Sequence, residues 1–542
     1  MKNLTDYVIR LDGERAVSKS LVGGKAWSIS EMKRMRIPVP PAFAISTKVC
    51  RHYLELGALP DGLDNSIQES IGWLESETGC QFSHGANPLL VSVRSGAEIS
   101  MPGMMDTILN LGMNEMVEDA MAQESKNSNF ALDTHLRFLK LYSDVVLKIG
   151  GTDFESREPK ILKKQIEKDG GTVPASGYAQ LKEAIEAVFS SWNSRRAKRY
   201  RKLNGISDLL GTAVTVQAMV FGNRDEESGT GVLFSRNPVT GEKQPYGEYL
   251  PCAQGEDVVS GKLTPKPIYA LEQLNSRVYE SLLSIAKKLE LENREVQDIE
   301  FTVESGKLYL LQTRNAKRAP LAALRFAVDF VEEGLIEKSI AVDRLSVEQL
   351  RNVSAPVIRK TALDNAEVLL EGEGACPGVG QGVLVTTSDN AERNAANGKE
   401  VVLGCATTSP EDIHGMIVSK ALITELGGST SHAAVVGRSL GIPTVVKCGV
   451  GKVLGLAGEE VTVDGSTGTI YRGYLPLSRP ENDSLYLRKL SSWLDELCPI
   501  DVFSLSDSIA EKVLDLDKIK GGEKLEMLSD LLRGYSYARG SV

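Results

Sequence analysis

Thr424-Glu425-Leu426-Gly427-Gly428-Ser429-Thr430-Ser431-His432-Ala433-Ala434-Val435-Val436-Gly437-Arg438 carries the most specific chemistry in this chain. Two glycines and three hydroxyl residues lead into one imidazole, and a short apolar helix is expected to follow. A histidine at a helix start among small residues suits a nucleophile that receives and releases a phosphoryl group. First-turn N–H groups and the positive end of the helix dipole would stabilise the anion it carries. A buried structural histidine at a capped helix start is the alternative, and it would suit an isolated Ser-His pair. The flanking pattern favours the nucleophile.

At 542 residues the chain is too long for one core and implies three or more domains. Its net charge of −10 gives no general attraction to nucleic acid or anionic membrane. The densest basic run, Arg195-Arg196-Ala197-Lys198-Arg199-Tyr200-Arg201-Lys202, reads most simply as a solvated helix face. Seven dispersed cysteines without a Cys-x-x-Cys pair argue for reduced thiols rather than a disulfide framework or zinc site. Met1-Lys2-Asn3-Leu4-Thr5-Asp6 lacks a signal-peptide core, and no stretch approaches the roughly 20 apolar residues of a membrane helix. A cytoplasmic protein is the expectation.

Along the chain, residues 91–93 read as a strand and 133–146 and 178–203 as helices. Residues 212–221 and 232–234 read as strands joined by the turn Gly222-Asn223-Arg224-Asp225, and 297–303 with 307–312 as a hairpin. From 319 to about 367 the pattern is helical and charged, as in a connector. A Gly-rich segment, 372–382, opens a compact unit of alternating strands (383–386, 401–403, 422–424, 444–446 and 460–463) and helices. The remainder, from 475, reads as mostly amphipathic helix.

Three further constellations suggest phosphate chemistry. In Val91-Ser92-Val93-Arg94-Ser95-Gly96-Ala97-Glu98-Ile99-Ser100-Met101-Pro102-Gly103-Met104-Met105-Asp106-Thr107 a strand delivers Arg94 to a small-residue loop, where its fork can clamp phosphate oxygens. Composition alone suits an ordinary surface loop equally well. On one strand of the hairpin, alternation places Asp298 and Glu300 on the same face, ahead of Gln312-Thr313-Arg314 on the other. A Mg²⁺ ion bridging nucleotide phosphates would neutralise the two carboxylates, although such pairs in isolation more often form exposed ion pairs. Gly23-Gly24-Lys25-Ala26 offers another cation, but not in the Gly-x-x-x-x-Gly-Lys-[Ser/Thr] arrangement of a Walker-type NTPase.

Together these runs resemble the pyruvate phosphate dikinase family. The resemblance rests on residues 21–26, 37–41, 92–114, 137–146, 184–193, 211–222, 228–238, 253–259, 297–318 and 409–416, with the histidine run, in the family's order. It implies a multidomain α/β (α+β) protein. An ATP-grasp nucleotide-binding domain would span 1–318 and a helical linker 319–366. A β/β/α phosphohistidine swivelling domain would span 367–475, with a short helical tail over 476–542. By the same resemblance, His432 attacks the β-phosphate of ATP, AMP leaves, and the outer phosphoryl passes to inorganic phosphate or water. Lys25, Arg94, Gly103, Thr107, Arg137, Gln312 and Arg314 are then the nucleotide and phosphate set, and Asp298 and Glu300 the Mg²⁺ ligands. Thr430 matches a regulatory phosphothreonine of plant dikinases, but a loop hydroxyl role is preferred here. His52, His84, His135 and His414 are assigned structural roles.

The sequence also departs from the family. A pyruvate-binding (β/α)₈ barrel needs roughly 250 residues, and only the tail after Leu475 is available for it. Glu98 occupies a loop position where the dikinases often have a basic or neutral residue. Glu425-Leu426 replaces the usual Ala-Arg-Gly approach and Ser429 replaces Met, closer to relatives that serve other acceptors. The expected partners are ATP and either a small-molecule phosphoryl acceptor or a separate phosphoenolpyruvate/pyruvate-binding subunit, with no nucleic acid and no membrane. A homodimer, a fragment of a longer protein and a non-catalytic ATP-binding regulator are left open.

Overall fold

The computed structural model describes residues 7–99, 101, 104–149, 158–203, 205–259, 265–353, 356–364, 366–478 and 485–497, with three short strands beyond. In the N-terminal part, strands Val8–Arg10 (β1), Ala42–Ile45 (β2), Val91–Gly96 (β3), Thr107–Leu111 (β4) and Ala213–Ala218 (β5) pair antiparallel in the order β1-β2-β5-β3-β4. Gly229–Phe234 (β6), Tyr246–Pro251 (β7), Lys266–Pro267 (β8), Gln297–Glu304 (β9) and Lys307–Asn315 (β10) form a second antiparallel sheet, ordered β8-β7-β6-β9-β10. The expected 297–312 hairpin is therefore present. The expected pairing across Gly222–Asp225 is not, because β5 and β6 belong to different sheets. Both strands are buried along their whole length, so each needs sheet neighbours on both sides, which a simple hairpin would not supply.

Helix Lys19–Arg34 (α1) packs on both sheets through Val22, Ala26, Ile29 and Met32, in one core with Ala42, Ala44, Ile299, Phe301 and Leu310. Ser128–Val145 (α2) starts where Asn127 accepts a hydrogen bond from Phe130 N (3.1 Å), a side-chain cap. The 178–203 segment is two helices, Gly177–Ser191 (α3) and Arg195–Leu203 (α4). The break has a packing cause: Arg201 folds back over the Trp192 ring at 4.1 Å and donates to the Trp192 carbonyl at 2.6 Å. Ser276–Asn293 (α5) covers the second sheet with Val278, Leu282, Ala286 and Leu289.

The region expected as a connector begins as core. Pro320–Glu332 (α6) buries Leu324, Phe326 and Phe330 with Val232 and Phe234 of β6. Arg236 lies beneath this contact at 1% exposure, donating to Glu290 of α5 and to Glu333 beyond α6, with its guanidinium 4.5 Å from the Phe330 ring. The first part of the linker is thus fixed to the second sheet.

The histidine-bearing unit is one eight-stranded sheet of Val368–Glu371 (β11), Glu373–Cys376 (β12), Val379–Val385 (β13), Val401–Cys405 (β14), Ala421–Thr424 (β15), Thr444–Val446 (β16), Glu460–Asp464 (β17) and Thr469–Arg472 (β18). Their order is β11-β18-β17-β13-β14-β15-β16-β12, with β13 to β16 parallel. The Gly-rich segment forms β12 and β13 rather than a loop. A Cβ at Gly380 would meet the Lys420 carbonyl at 2.1 Å, and one at Gly374 the Gly465 carbonyl at 2.5 Å, so glycine allows close strand approach there. Helices Ser388–Ala396 (α7) and His432–Leu440 (α8) follow β13 and β15. Val357–Ile358 pairs with Leu477–Ser478 where the chain enters and leaves the unit.

The tail, expected as mostly amphipathic helix, contains both helix and short strands among the described residues. Leu485–Leu497 (α9) is helical and buries Leu490 and Trp493 against the α6 core. Beyond it, Asp501–Val502, Val513–Asp515 and Tyr537–Arg539 pair as strands. Among the described residues no helix is long and apolar enough to cross a membrane.

Removing one partner of a buried ion pair leaves the other charge uncompensated. Arg236→Ala should therefore lower the stability of the N-terminal part by about 3–5 kcal/mol, seen as an earlier urea transition. Arg236→Ala unfolding at the wild-type urea concentration would refute the fixed linker.

Candidate active site

The first cluster forms where α1 meets the ends of β3, β9 and β10. Gly23 interrupts α1 with φ +78°, and a Cβ there would stand 1.7 Å from the Gly96 carbonyl, so only glycine fits. Gly24 N donates to the Ala97 carbonyl at 3.0 Å, which fixes Lys25 beside the end of β3. On the hairpin, Asp298 faces Arg314 and Glu300 faces Gln312 in register, with a bulge after Glu300. Arg314 Nε donates to Asp298 Oδ2 at 2.8 Å, and its Nη2 lies 3.9 Å from Glu300 Oε1. Arg94 Nη2 reaches Glu300 Oε2 at 3.4 Å and Gln312 Oε1 at 3.5 Å. Thr107 on β4 is the register partner of Arg94.

Lys25, Arg94, Thr107, Asp298, Glu300, Gln312 and Arg314 are thus brought to one place. Arg137 is not seen among them: from α2 it pairs with Asp133 (2.8 Å) and Asp257 (2.9 Å). Two carboxylates flanking its guanidinium, one of them a single helical turn away, account for that orientation. Gly103 lies outside the described residues.

Charge governs this cluster. Burial and the nearby Arg94 push Lys25 down to about 7, against the pull of Glu300. Burial alone would raise Glu300, but Arg314, Arg94 and Lys25 outweigh it and hold that carboxyl below its ordinary range. Asp298 is raised by burial, which Arg314 offsets only in part, and Asp298 in turn raises Arg314. Three cationic side chains against two carboxylates suit a polyanion that arrives with its own cation. Asp298 Oδ1 is buried without a hydrogen-bond partner among the described residues. An unpartnered carboxylate oxygen beside a second carboxylate fits a hard divalent ion. No group of three His, Cys, Asp or Glu side chains suited to a metal occurs among the described residues, so phosphate oxygens would have to complete the shell.

The second cluster surrounds His432, the first residue of α8, after Ser431 at the N-cap. Its Nδ1 lies 3.2 Å from Thr408 Oγ1, and its buried Nε2 has no partner among the described residues. Burial lowers its pKa, opposed by Asp412, so the ring is neutral at pH 7. When Nδ1–H donates to Thr408, the lone pair stands on Nε2. Sequence reading missed Thr408, which is 24 residues away along the chain. A capping box of Ser409 and Asp412 immediately after it was the available signal. His414 is structural, held by Asp389 at 3.0 Å and the Glu411 carbonyl at 2.9 Å.

Several contacts among the described residues dock this unit on the N-terminal part, among them the Tyr246 hydroxyl, which donates to Glu373 Oε1 at 3.3 Å. The Glu248 carboxylate on β7 accepts from Ser429 N (3.1 Å), Thr430 N (3.2 Å) and the Thr430 hydroxyl. Arg196 of α4 pairs with Asp106 and reaches Glu411 at 3.5 Å, and Arg199 pairs with Glu392 of α7. The basic run is therefore only partly solvated: two of its arginines bridge the units and Arg201 is buried. Since Glu411 follows Thr408 closely and Asp106 precedes Thr107, Arg196 links the histidine surroundings to the phosphate cluster.

A cationic cluster with two carboxylates on the antiparallel sheets and a buried histidine at a helix start on a separate, docked unit make up the two parts of this site. Residues 19–77 and 57–279 match the family model described as pyruvate phosphate dikinase, AMP/ATP-binding domain, and residues 397–468 that of the PEP-utilising enzyme, mobile domain. The chain is 40% identical to pyruvate, phosphate dikinase of Clostridium symbiosum, over 93% of this chain and 62% of that protein. It is 40% identical to pyruvate, phosphate dikinase 2 of Zea mays, over 90% and 60%. For pyruvate, phosphate dikinase of Rhizobium meliloti the identity is 40%, over 89% and 59%. The chain belongs to the pyruvate phosphate dikinase family and spans about 60% of the length of these relatives.

Two outcomes follow from this geometry. A bound polyphosphate should restore the charge of Lys25, so nucleotide binding at about pH 8 should take up about one proton. Calorimetry in buffers of different ionisation heat reads this uptake, and an equal uptake in Lys25→Met would count against it. A Cβ at Gly428 would stand 2.1 Å from Glu248 Oε1. Gly428→Ala should therefore loosen the docked unit, read as faster amide hydrogen exchange at Ser429 and Thr430, and unchanged exchange there would count against Glu248 as the docking contact.

Proposed function

We propose that this chain is the ATP-charging part of a dikinase-type phosphotransferase. One observation carries the reading: a buried histidine whose Nε2 has no partner among the described residues sits on a unit docked, through Glu248, on the same sheet that carries Asp298, Glu300 and Arg314. ATP-grasp domain 1–318 binds the nucleotide, linker 319–366 and the paired strands at 357–358 and 477–478 connect it, and phosphohistidine domain 367–475 carries the group.

Lys25, Arg94 and Arg314 hold the polyphosphate, and Gln312 and Thr107 border it. By family resemblance Arg137 and Gly103 also belong to the nucleotide and phosphate set. Asp298 and Glu300 would hold Mg²⁺, which supplies charge neutralisation across the phosphate oxygens when bound. His432 Nε2 forms a bond to the β-phosphorus while the bond from that phosphorus to the α-bridging oxygen breaks, and AMP leaves with that oxygen. Thr408 Oγ1 accepts from Nδ1–H and steadies the imidazolium that results. The outer phosphoryl of the pyrophosphorylated histidine passes to inorganic phosphate or water. The remaining phosphohistidine swings with its unit to an acceptor, either a small molecule or a separate phosphoenolpyruvate/pyruvate-binding subunit. The six free cysteines among the described residues suit the cytoplasm.

Incubation with β-labelled ATP tests the reading. Acid-labile label on the wild-type protein, AMP release and no label on His432→Ala are expected. Label retained in His432→Ala, or ADP as the nucleotide product, would sink it.

A further inference from the structure

Arg438 ends α8 at 2% exposure, yet it makes one hydrogen bond, from Nη1 to the Ala375 carbonyl at 3.2 Å. Its Nε and Nη2 are buried without partners among the described residues. The other unit contributes to its surroundings. The guanidinium carbon lies 5.7 Å from the ring centre of Phe234, and Tyr246, Phe234 and Asp298 are direct register partners across β7, β6 and β9. Cross-strand partners share a sheet face, so the cation lies over a row with an apolar centre and one carboxylate end. Asp298, Glu248 and Tyr246 are near enough to favour its charge, but none of them hydrogen-bonds it.

A guanidinium taken from water needs acceptors for its five N–H groups. Where they are missing, attraction from nearby carboxylates does not repay the desolvation. We infer that Arg438 is the release element of the docked pair: it is buried beside the opposing sheet with Nε and Nη2 unmet, and it regains water when the histidine-bearing unit swings away. Docking is then held by Glu248 and opposed by Arg438, so the unit leaves readily after the group is transferred. Asp298 modulates the opposition, because its negative charge is part of what makes the burial of Arg438 tolerable. The charge state of the nucleotide site thereby reaches the docking equilibrium.

This inference rests on the proposed swing, and the test separates the two. Fluorophores introduced by unnatural amino acids at exposed Glu69 and Lys399 of the full chain report the docked and open populations without nucleotide. Arg438→Met removes the charge and should raise the docked-to-open ratio by at least about five-fold. Arg438→Lys, which keeps it, should not. Asp298→Asn should lower the ratio with Arg438 present and leave it unchanged in the Arg438→Met background. If Arg438→Met does not fold, the Asp298→Asn arm is read with Arg438 present, and an unchanged or raised ratio there would overturn the role. A ratio that falls in Arg438→Met, or an Asp298→Asn effect that persists without Arg438, would overturn the role. A single distance in every variant and at all nucleotide concentrations would instead remove the swing itself.

Discussion

The Glu248 carboxylate joins the two halves of this molecule. It takes two backbone N–H groups and a hydroxyl from the loop before His432, satisfying donors that would otherwise be buried unpaired. The contact needs a flat approach, and Gly428 provides it by having no side chain. Because Glu248 uses the amides of Ser429 and Thr430, those groups are not available to a phosphoryl on His432 while the unit is docked. The first turn of α8 remains for that purpose, as the sequence led one to expect.

On the other side of the interface, local geometry and charge agree. The β9–β10 register sets Asp298 against Arg314 and Glu300 against Gln312, and the kink at Gly23 brings in Lys25. Each carboxylate is tolerable because guanidinium groups share its surroundings, and each cation is tolerable for the reverse reason. The cluster keeps surplus positive charge and one unsatisfied carboxylate oxygen, the state of a site arranged for a metal-bound polyanion. Burial lowers the pKa of His432 and favours its neutral form, which suits the nucleophile proposed above.

Several elements were legible in the residues alone. The strands of the histidine-bearing unit, the 297–312 hairpin and the helix starting at His432 follow from periodicity, turn residues and capping. The gathering of Lys25, Arg94, Asp298, Glu300, Gln312 and Arg314 came from resemblance rather than spacing, since their separation along the chain exceeds anything local rules reach. Reading failed where long-range packing overrides local pattern. The 178–203 helix breaks because Arg201 needs the Trp192 face, and the charged connector begins as core because Phe326 and Phe330 complete the second sheet. Glu248 sits in an ordinary strand, Thr408 in an ordinary loop and Arg438 in a helix, with no local mark of their partners.

The sequence by itself determined which residues can do chemistry here: one histidine at a glycine-rich helix start, and arginines, a lysine and paired carboxylates on strands. Those properties follow from short-range sterics and alternation, which act within a few residues. Only the tertiary structure decided which of these residues meet. Arg137 is drawn to Asp133 and Asp257, and the basic helix spends two arginines on the other unit. Arg438 is buried between its own unit's strand at Ala375 and Phe234 of a sheet it does not belong to. Burial and charge compensation act between surfaces that the chain brings together only on folding, so no local pattern in the sequence records them.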